Sequence, residues 1–378
     1  MSDSPLLVAE PRDLAGLVTQ WGKESVLAVD TEAASFHRHR NRIYLVQVST
    51  RSETAILDPL ALEDLSGFGK LLADPDIEIV FHDADYDLRL FDDQYGLHVA
   101  NLFDTRVAAE LLNEPGLSLA ALLDRHLGVK VDKRFQRADW SQRPLSPEMR
   151  AYAANDTRYL VELRDLLATK LEQAGRLAWA REEFALLQGV RWSGNGRGEP
   201  GYLRVKGARA LEPRQLAILR EVHAWREGLA ERLDRAEFRI VANEALLAIA
   251  QQGPETPEAL GAIKGVGRET VERRSRAIIA AVRRGLRVPE KDLPRIERPP
   301  RRAREPELEA RIARLKTART RVAARLELAP GVVCPNHSLE LIARELPDSL
   351  EALRRVDGIR EWQVETFGEE LLDALKTP

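Results

Sequence analysis

Two acids close a strand. In VLAVDTEAASF (Val26 to Phe36) an apolar, largely β-branched run ends in Asp30 and Glu32. Two residues apart on a strand, their side chains leave the same face. Like charges side by side repel, and the simplest device that offsets them is a divalent cation. A plainer reading ends the strand at Val29 and leaves both acids in water. Further on, IVFHDADYDLRLF supplies Asp83, Asp85 and Asp87 where a strand gives way to a helix. Asp83 and Asp85 read as charge compensation at the helix start. Asp87 lies deeper, inside the apolar pattern of Leu88, Leu90 and Phe91. On a later helix YAANDTRYL places Tyr152 and Asp156 at i and i+4, sharing one face. A tyrosine packed over a surface aspartate is the plain alternative there. Each piece has a structural explanation, but none of those explanations covers all three together.

The elements that must position these residues alternate over 1–175. VLAVD, IYLVQVS, TAILD and IEIVF are short strand-like runs. LEDLSGFGKLL, YDLRLFDDQYG, LSLAALLDRHLG and one long pattern from Pro147 to Gly175 are helical, the last opened by Ser146 as N-cap and Pro147 at N1. The first three strands follow one another through short loops, which predicts antiparallel hairpins with a parallel strand added through a helix. The expectation is an α/β domain with a mixed sheet. Residues 176–207 contain SGNGRGEPG and read as a linker. Residues 208–288 are helical; 289–304 are rich in proline and arginine and read as an extended spacer; 305–378 are helical again. The two helical segments repeat each other: a long helix, then LLAIA or LELIA, a proline, EAL, then IKGVGRE or VDGIREW, and a last helix.

With these motifs in place the chain resembles the DEDD exonuclease superfamily, matched by Asp30, Glu32, Asp87 and Asp156. Tyr152, four residues before the last acid, is similar to the tyrosine-containing branch, DEDDy. NLFDTRVAAELL, SLAALLDRHLGVKVDKRFQRADWSQRPLS and YAANDTRYL narrow the likeness to the ribonuclease D family, and the paired repeats resemble HRDC domains. The likeness runs from about residue 5 to 375. It departs at DRAEF, where the family often has a proline after the aspartate. The resemblance implies a ribonuclease H-like mixed-sheet exonuclease domain followed by two all-α HRDC domains. It implies a 3′–5′ exoribonuclease releasing 5′ mononucleotides, acting on RNA with a 3′ tail such as tRNA precursors, in the cytoplasm.

Phosphodiester hydrolysis brings an oxygen nucleophile to an anion, and two divalent ions about 4 Å apart solve that problem. Four carboxylates with no Cys or His at matching spacing suit Mg²⁺ or Mn²⁺ better than zinc. The resemblance implies that Asp30 bridges both ions, that Glu32 and Asp156 hold the ion that activates water, that Asp87 supports the other, and that Tyr152 orients the water. DKRFQRADWSQR mixes Lys133, Arg134, Arg137 and Arg143 with Phe135 and Trp140, a composition that suits single-stranded phosphates and stacked bases; a structured loop around a buried Trp140 is the alternative. Phe36 and Tyr44 are candidates to stack on terminal bases or to serve the core, and His82 to touch substrate or to serve as a cap.

The 378-residue chain nets −3, unevenly spread. Residues 1–175 hold 19 Lys+Arg against 29 Asp+Glu, a net of −10, so the remainder nets +7; Arg295 to Arg325 alone carries eleven Lys/Arg against four Glu. An acidic site backed by basic segments suits a nucleic-acid partner, though a basic run is also an ordinary solvated face. No run of about 18 apolar residues predicts a membrane span, and the acidic N-terminus lacks the features of a secretory signal. A single cysteine, Cys334, excludes an internal disulfide and a cysteine zinc site. No G-x-x-x-x-G-K-[ST] loop is present, which argues against a helicase. Two rivals remain: a single-stranded DNA exonuclease of the same branch, and a non-catalytic nucleic-acid-binding protein.

Overall fold

The computed structural model describes residues 5–194, 199–296 and 305–376. The first part opens with β1 (Leu6–Val8), α1 (Pro11–Trp21), β2 (Val26–Ala33), β3 (Ile43–Ser49) and β4 (Thr54–Leu57). It continues with α2 (Pro59–Leu62), α3 (Ser66–Leu72), β5 (Glu78–Phe81), α4 (Asp85–Tyr95), β6 (Leu102–Asp104), α5 (Thr105–Leu111) and α6 (Leu119–Leu127). Three helices close it: α7 (Pro147–Arg158), α8 (Leu160–Gln173) and α9 (Leu177–Gln188).

The six strands form one sheet in the order β1-β4-β3-β2-β5-β6. β2–β3 and β3–β4 pair antiparallel, whereas β2–β5, β5–β6 and β1–β4 pair parallel. The expected hairpins and added parallel strand are present. Two strands go beyond the expectation. β1 and β6 have three residues each, too few to show a period of two. Val26 to Val29 are buried, as a central strand covered on both faces requires.

Two expectations about helices are corrected. The predicted continuous helix from Pro147 breaks at Tyr159, whose φ −108 and ψ 0 leave the helical region. Its first half lies on the β2–β3–β4 face, while the second contacts β2, β5 and α5. No local signal in NDTRYLVEL announces that change of direction. Second, the expected linker 176–207 opens with α9. Ala180 and Phe184 of α9 are buried, and Phe184 packs 4.8 Å from Phe103 of β6. The glycine-rich stretch drew attention away from Leu177, Ala180 and Phe184, which already show helical spacing. Of the predicted linkers, residues 195–198 and 297–304 lie outside the described residues.

Two helical modules follow. The first contains α10 (Pro213–Leu233), α11 (Asn243–Gln252), α12 (Pro257–Gly261) and α13 (Arg268–Leu286). The second contains α14 (Pro306–Leu326), α15 (Pro330–Val333), α16 (Asn336–Glu345), α17 (Leu350–Arg354) and α18 (Glu361–Lys376). Their repetition extends to the caps. Thr256 and Ser349 each accept a hydrogen bond at 3.2 Å from the backbone N–H of Ala259 and Ala352. Gly265 (φ +92) and Gly358 (φ +77) occupy the left-handed region at equivalent turns before the last helix. In the first module α10 and α13 approach closely at Gly285, where an added Cβ would lie 2.5 Å from the Ile218 backbone.

The modules attach differently. The first has its own apolar core. It touches the sheet domain through Phe238 set edge-on to Phe36 and through polar links: Ala236 N–H to the His37 carbonyl (3.1 Å), Arg239 to the Phe36 carbonyl (2.5 Å) and Arg38 to Asp234 (3.7 Å). The second shares a continuous core with the sheet domain. Trp362 stacks on Trp179 of α9 with centroids 4.6 Å apart and planes at 19°. Glu182 accepts from the backbone N–H groups of Glu361 and Trp362, capping α18 from the neighbouring domain at 2.6 and 3.0 Å. Glu183 pairs with Arg360 at 3.1 Å.

Truncating Trp362 to alanine removes that stack and a buried aromatic. The expected loss is about 3 kcal/mol of unfolding free energy, read by chemical denaturation, with the second module opening first in hydrogen exchange.

Candidate active site

The end of β2 carries Asp30 and Glu32 to one face, and Thr31 to the other. In the β2–β3 register Asp30 faces Gln47 and Glu32 faces Leu45, with a shift after Glu32 that marks a bulge. Helix α7 lies over this face. Ser146 caps its start, accepting from Met149 N–H at 3.2 Å, as its sequence implies. Near its end Thr157 Oγ1 lies 2.8 Å from Ser49 Oγ of β3. Asp156, the residue before Thr157, is therefore held against β2. Oxygens of Asp30, Glu32 and Asp156 all lie within 4.8 Å of one another.

Asp87 stands beside this group, not within it. It is buried in the first turn of α4, and its carboxylate accepts from the Thr31 hydroxyl. The start of α4 is fixed by a residue that sequence reasoning missed. Asp104, buried at the end of β6, accepts from Asp83 N–H (3.2 Å) and Ala84 N–H (2.7 Å) and also caps α5 through Arg106 N–H (2.8 Å). An aspartate just before the helical pattern TRVAAEL was a readable N-cap signal; its second task, across 20 residues, was not. Asp83 and Asp85 stand outside the cluster of acids, paired with Arg106 at 3.4 Å and Arg89 at 2.8 Å, in line with their reading as helix-start charges.

The electrostatics follow from crowding. Burial, then Asp87, Asp156 and Glu32, push Asp30 well above the usual carboxylate range. Burial and the neighbouring acids raise Glu32 likewise. Burial pushes Asp156 and Asp87 up to about 7, the latter against the hydrogen bonds from Thr31. Among the described residues no lysine or arginine forms an ion pair with any of these four acids. Gln47, on the same sheet face as Asp30, is fully buried with both amide atoms unpaired among the described residues. Hard carboxylate oxygens, mutual repulsion and no protein counter-charge fit a divalent ion.

Asp30, Glu32 and Asp156 open on a cleft of about 400 Å³ also lined by Tyr152, His82, Asp83, Lys133 and Arg106. A larger groove of about 1130 Å³ between the sheet domain and the first module contains none of the acids. Tyr152 packs against Phe135 and Trp140 at 5.8 and 6.0 Å. Burial and the three acids raise its phenol above the usual value, so it stays protonated at neutral pH. His82 is lowered by burial and is neutral at that pH, with Nδ1 2.9 Å from Thr105 Oγ1.

Three expected nucleic-acid contacts are corrected in position. Trp140 is 1% exposed, so it supports Tyr152 from behind and presents no face to a base. Arg143 is committed to Asp58 in a two-pronged pair (2.6 and 2.8 Å) and to the Tyr44 carbonyl (2.9 Å), leaving no free guanidinium edge for phosphate. Phe36 is exposed but outside the cleft lining; it meets Phe238 of the first module edge-on at 6.3 Å, with Arg137 over its ring. Tyr44 is buried and serves the core. Of the nine residues considered for nucleic-acid contact, the cleft lining keeps His82 and Lys133.

Comparison with known proteins adds independent findings. A family profile described as 3′-5′ exonuclease matches residues 7–172, and the HRDC domain profile matches 215–282 and 309–375. The chain is 33% identical to ribonuclease D of Granulibacter bethesdensis over 99% of this chain and 93% of that protein. It is also 33% identical to ribonuclease D of Gluconacetobacter diazotrophicus over 98% of this chain and 93% of that protein. Among solved structures, a protein from Bifidobacterium adolescentis superposes with a TM-score of 0.83 at 25% identity, covering 99% of this chain and all of that one (100%). Escherichia coli RNase D shares the fold with a TM-score of 0.69 at 24% identity, covering 98% of each chain.

Two outcomes follow from the crowding and from the Arg143 pair. A carboxylate raised by the fold carries no penalty below its ordinary pKa, and the full penalty above its raised one. The metal-free protein should therefore lose stability as pH rises from about 4 through about 7. Asp156→Asn should remove part of that loss, unfolding on the order of 1–3 kcal/mol later than the parent in EDTA at about pH 8. Urea titrations across pH read this, and added Mg²⁺ should reverse the order by stabilising only the parent. Arg143→Ala should cost about 3 kcal/mol by stranding buried Asp58, while the salt dependence of RNA binding stays as in the parent protein.

Proposed function

The chain belongs to the ribonuclease D family and is a 3′–5′ exoribonuclease, and from that premise we propose that it trims single-stranded 3′ tails of structured RNA, tRNA precursors among them, at the cleft above β2. The observation that carries the site is the meeting of Asp30, Glu32 and Asp156 within 4.8 Å beside a protonated Tyr152.

Asp30, Glu32 and Asp156 would hold two divalent ions, Mg²⁺ or Mn²⁺, with Asp87 supporting from its buried seat. Bound there, such ions supply a water nucleophile at neutral pH and offset charge on the leaving 3′ oxygen. The residues of the chain do the rest. Asp30 and Glu32 are held at a fixed spacing, because the antiparallel ladder of β2 with β3 runs through both of them. Tyr152 Oη keeps its proton, so it orients the attacking water by hydrogen bonding and is not its base. Trp140 and Phe135 fix the tilt of the Tyr152 ring. Lys133 offers its ammonium to substrate phosphate, and neutral His82 offers a contact that adds no charge.

The test uses a tRNA precursor with a 3′ tail, a matched single-stranded DNA, Mg²⁺ or Mn²⁺, and an Asp30→Asn control. Stepwise release of 5′ mononucleotides from the RNA, abolished by EDTA and reduced at least about 10³-fold by the substitution, is the expected outcome. Faster trimming of the DNA would overturn the substrate, and RNA binding without metal-dependent product would overturn the site.

A further inference from the structure

Gln47 carries a full amide into the interior of the sheet domain. It lies mid-way along β3 and is 0% exposed, and neither Oε1 nor Nε2 has a hydrogen-bond partner among the described residues. Folded proteins pair nearly all such groups, and a buried one left alone is costly. The register shows what surrounds it. Gln47 faces Asp30 of β2 on one side and Ile56 of β4 on the other. Leu45 and Ser49, two places away along β3, share its face. Leu45 and Ile56 belong to one apolar cluster with Ala153 of α7 and Trp140. Ser49 Oγ lies 2.8 Å from both Thr54 Oγ1 and Thr157 Oγ1, so it is engaged already. Of the polar groups beside Gln47 on this face, the carboxylate of Asp30 remains.

Asp30 has the complementary need. The ladder sets it directly across from Gln47, a placement that brings two Cβ atoms to roughly 4.5–5.5 Å. Neighbouring acids are oriented by uncharged groups. The Thr31 hydroxyl donates to Asp87, and the Ser49–Thr157 pair fixes the turn of α7 that carries Asp156. Asp30 accepts from the Thr31 backbone N–H. Its two oxygens offer about four lone-pair directions, so capacity for a further donor is left. A carboxylate that meets metal ions must also be turned correctly, and a hydrogen bond from behind the ligand is the usual means.

We propose that Gln47 is a positioning residue for the hydrolysis: its Nε2–H donates to the Asp30 carboxylate and holds it in the orientation that receives the metal ions. The inference rests on the reading of Asp30, Glu32 and Asp156 as the metal site. The terminal torsion of a glutamine is broad, so the amide turns toward Asp30 with the backbone of β3 in place. The donor is also uncharged. A lysine or arginine at this position would neutralise the acids and compete with the cations. An amide orients the carboxylate and leaves its charge to the metal. Gln47 is sealed from solvent and is not among the residues that line the cleft, so it acts through Asp30 and not on the RNA.

The experiment compares the full chain with Gln47→Met and Gln47→Leu, which occupy nearly the same volume without an amide. Mn²⁺ affinity is measured by isothermal titration calorimetry, and unfolding in EDTA by urea titration. Trimming of a 3′-tailed RNA at limiting Mn²⁺ gives kcat and KM. Both variants should bind Mn²⁺ about 10–100-fold more weakly. Their urea midpoints in EDTA should equal or exceed that of the parent, because an apolar group in place of an unpaired buried amide removes its cost. The kcat should fall while KM for the RNA stays unchanged, since no substrate contact is lost. Parent-like Mn²⁺ affinity in both variants would overturn the proposal. A lower midpoint in EDTA for both would overturn it too, by making Gln47 a partnered residue with a structural role alone. Where only one variant unfolds early, the Mn²⁺ affinity of the other decides. A parent chain that binds no Mn²⁺ would overturn the metal site and this role together, whereas equal binding by parent and variants overturns the role of Gln47 alone.

Discussion

The mutual repulsion of Asp30, Glu32 and Asp156, whose oxygens lie within 4.8 Å of one another, has to be resisted by everything around it. None of the resistance is ionic. β2 is held by ladders to β3 and β5, and its residues Val26 to Val29 lie in the main apolar core. α7 is held by its Ser146 cap, by the hydroxyl pair of Ser49 and Thr157, and by Ala153 packed with Leu45, Ile56 and Trp140. α4 is held by Asp104. Apolar packing and hydrogen bonds keep the acids together without an ion pair to any of the four among the described residues, so they stay available to a cation.

The nearby arginines make the same point. A guanidinium within reach of Asp30 or Asp156 would neutralise the cluster permanently and compete with a metal ion. Arg106, which lines the same cleft, is engaged by Asp83 and Glu110. Asp83, set aside in the sequence as a helix-start charge, thus has a role of its own: it pairs with the arginine that shares the cleft with Asp30, Glu32 and Asp156.

What could be read in advance divides along this line. Asp30 with Glu32, and Tyr152 with Asp156, were legible because strand and helix periods alone put each pair on one face. The mixed sheet and the two modules were legible for similar reasons, since hydrophobic periodicity and repetition are local properties. Trp140 and Arg143 were misplaced because residue type does not disclose a distant partner. Arg143 finds its aspartate 85 positions earlier, and Trp140 is sealed by β3, β4 and α7. The break at Tyr159 and the double task of Asp104 were hidden likewise, for both depend on which element lies alongside. β1 and β6 are short enough that only their neighbours make them strands.

The repeated modules extend this division from residues to domains. Their shared requirements are geometric: a left-handed glycine before the last helix, a hydroxyl cap on the short helix, and an apolar stripe facing inward. None of these constrains the outward stripe. Once two copies exist, that stripe is free to diverge, and it has diverged toward opposite charge. Glu182 and Glu183 on α9 accept the α18 N-terminus and Arg360, so the second copy is attached through its own backbone dipole and a tryptophan stack. An arginine-rich stripe needs no such seat, and burying it against an acidic domain would remove it from solution. The first copy is accordingly joined by Phe238 and a few polar contacts at its 234–240 loop, which leaves α13 facing outward while fixing it relative to β2. Duplication thus separates two demands that one module could not meet: a buried apolar attachment and an exposed cationic face.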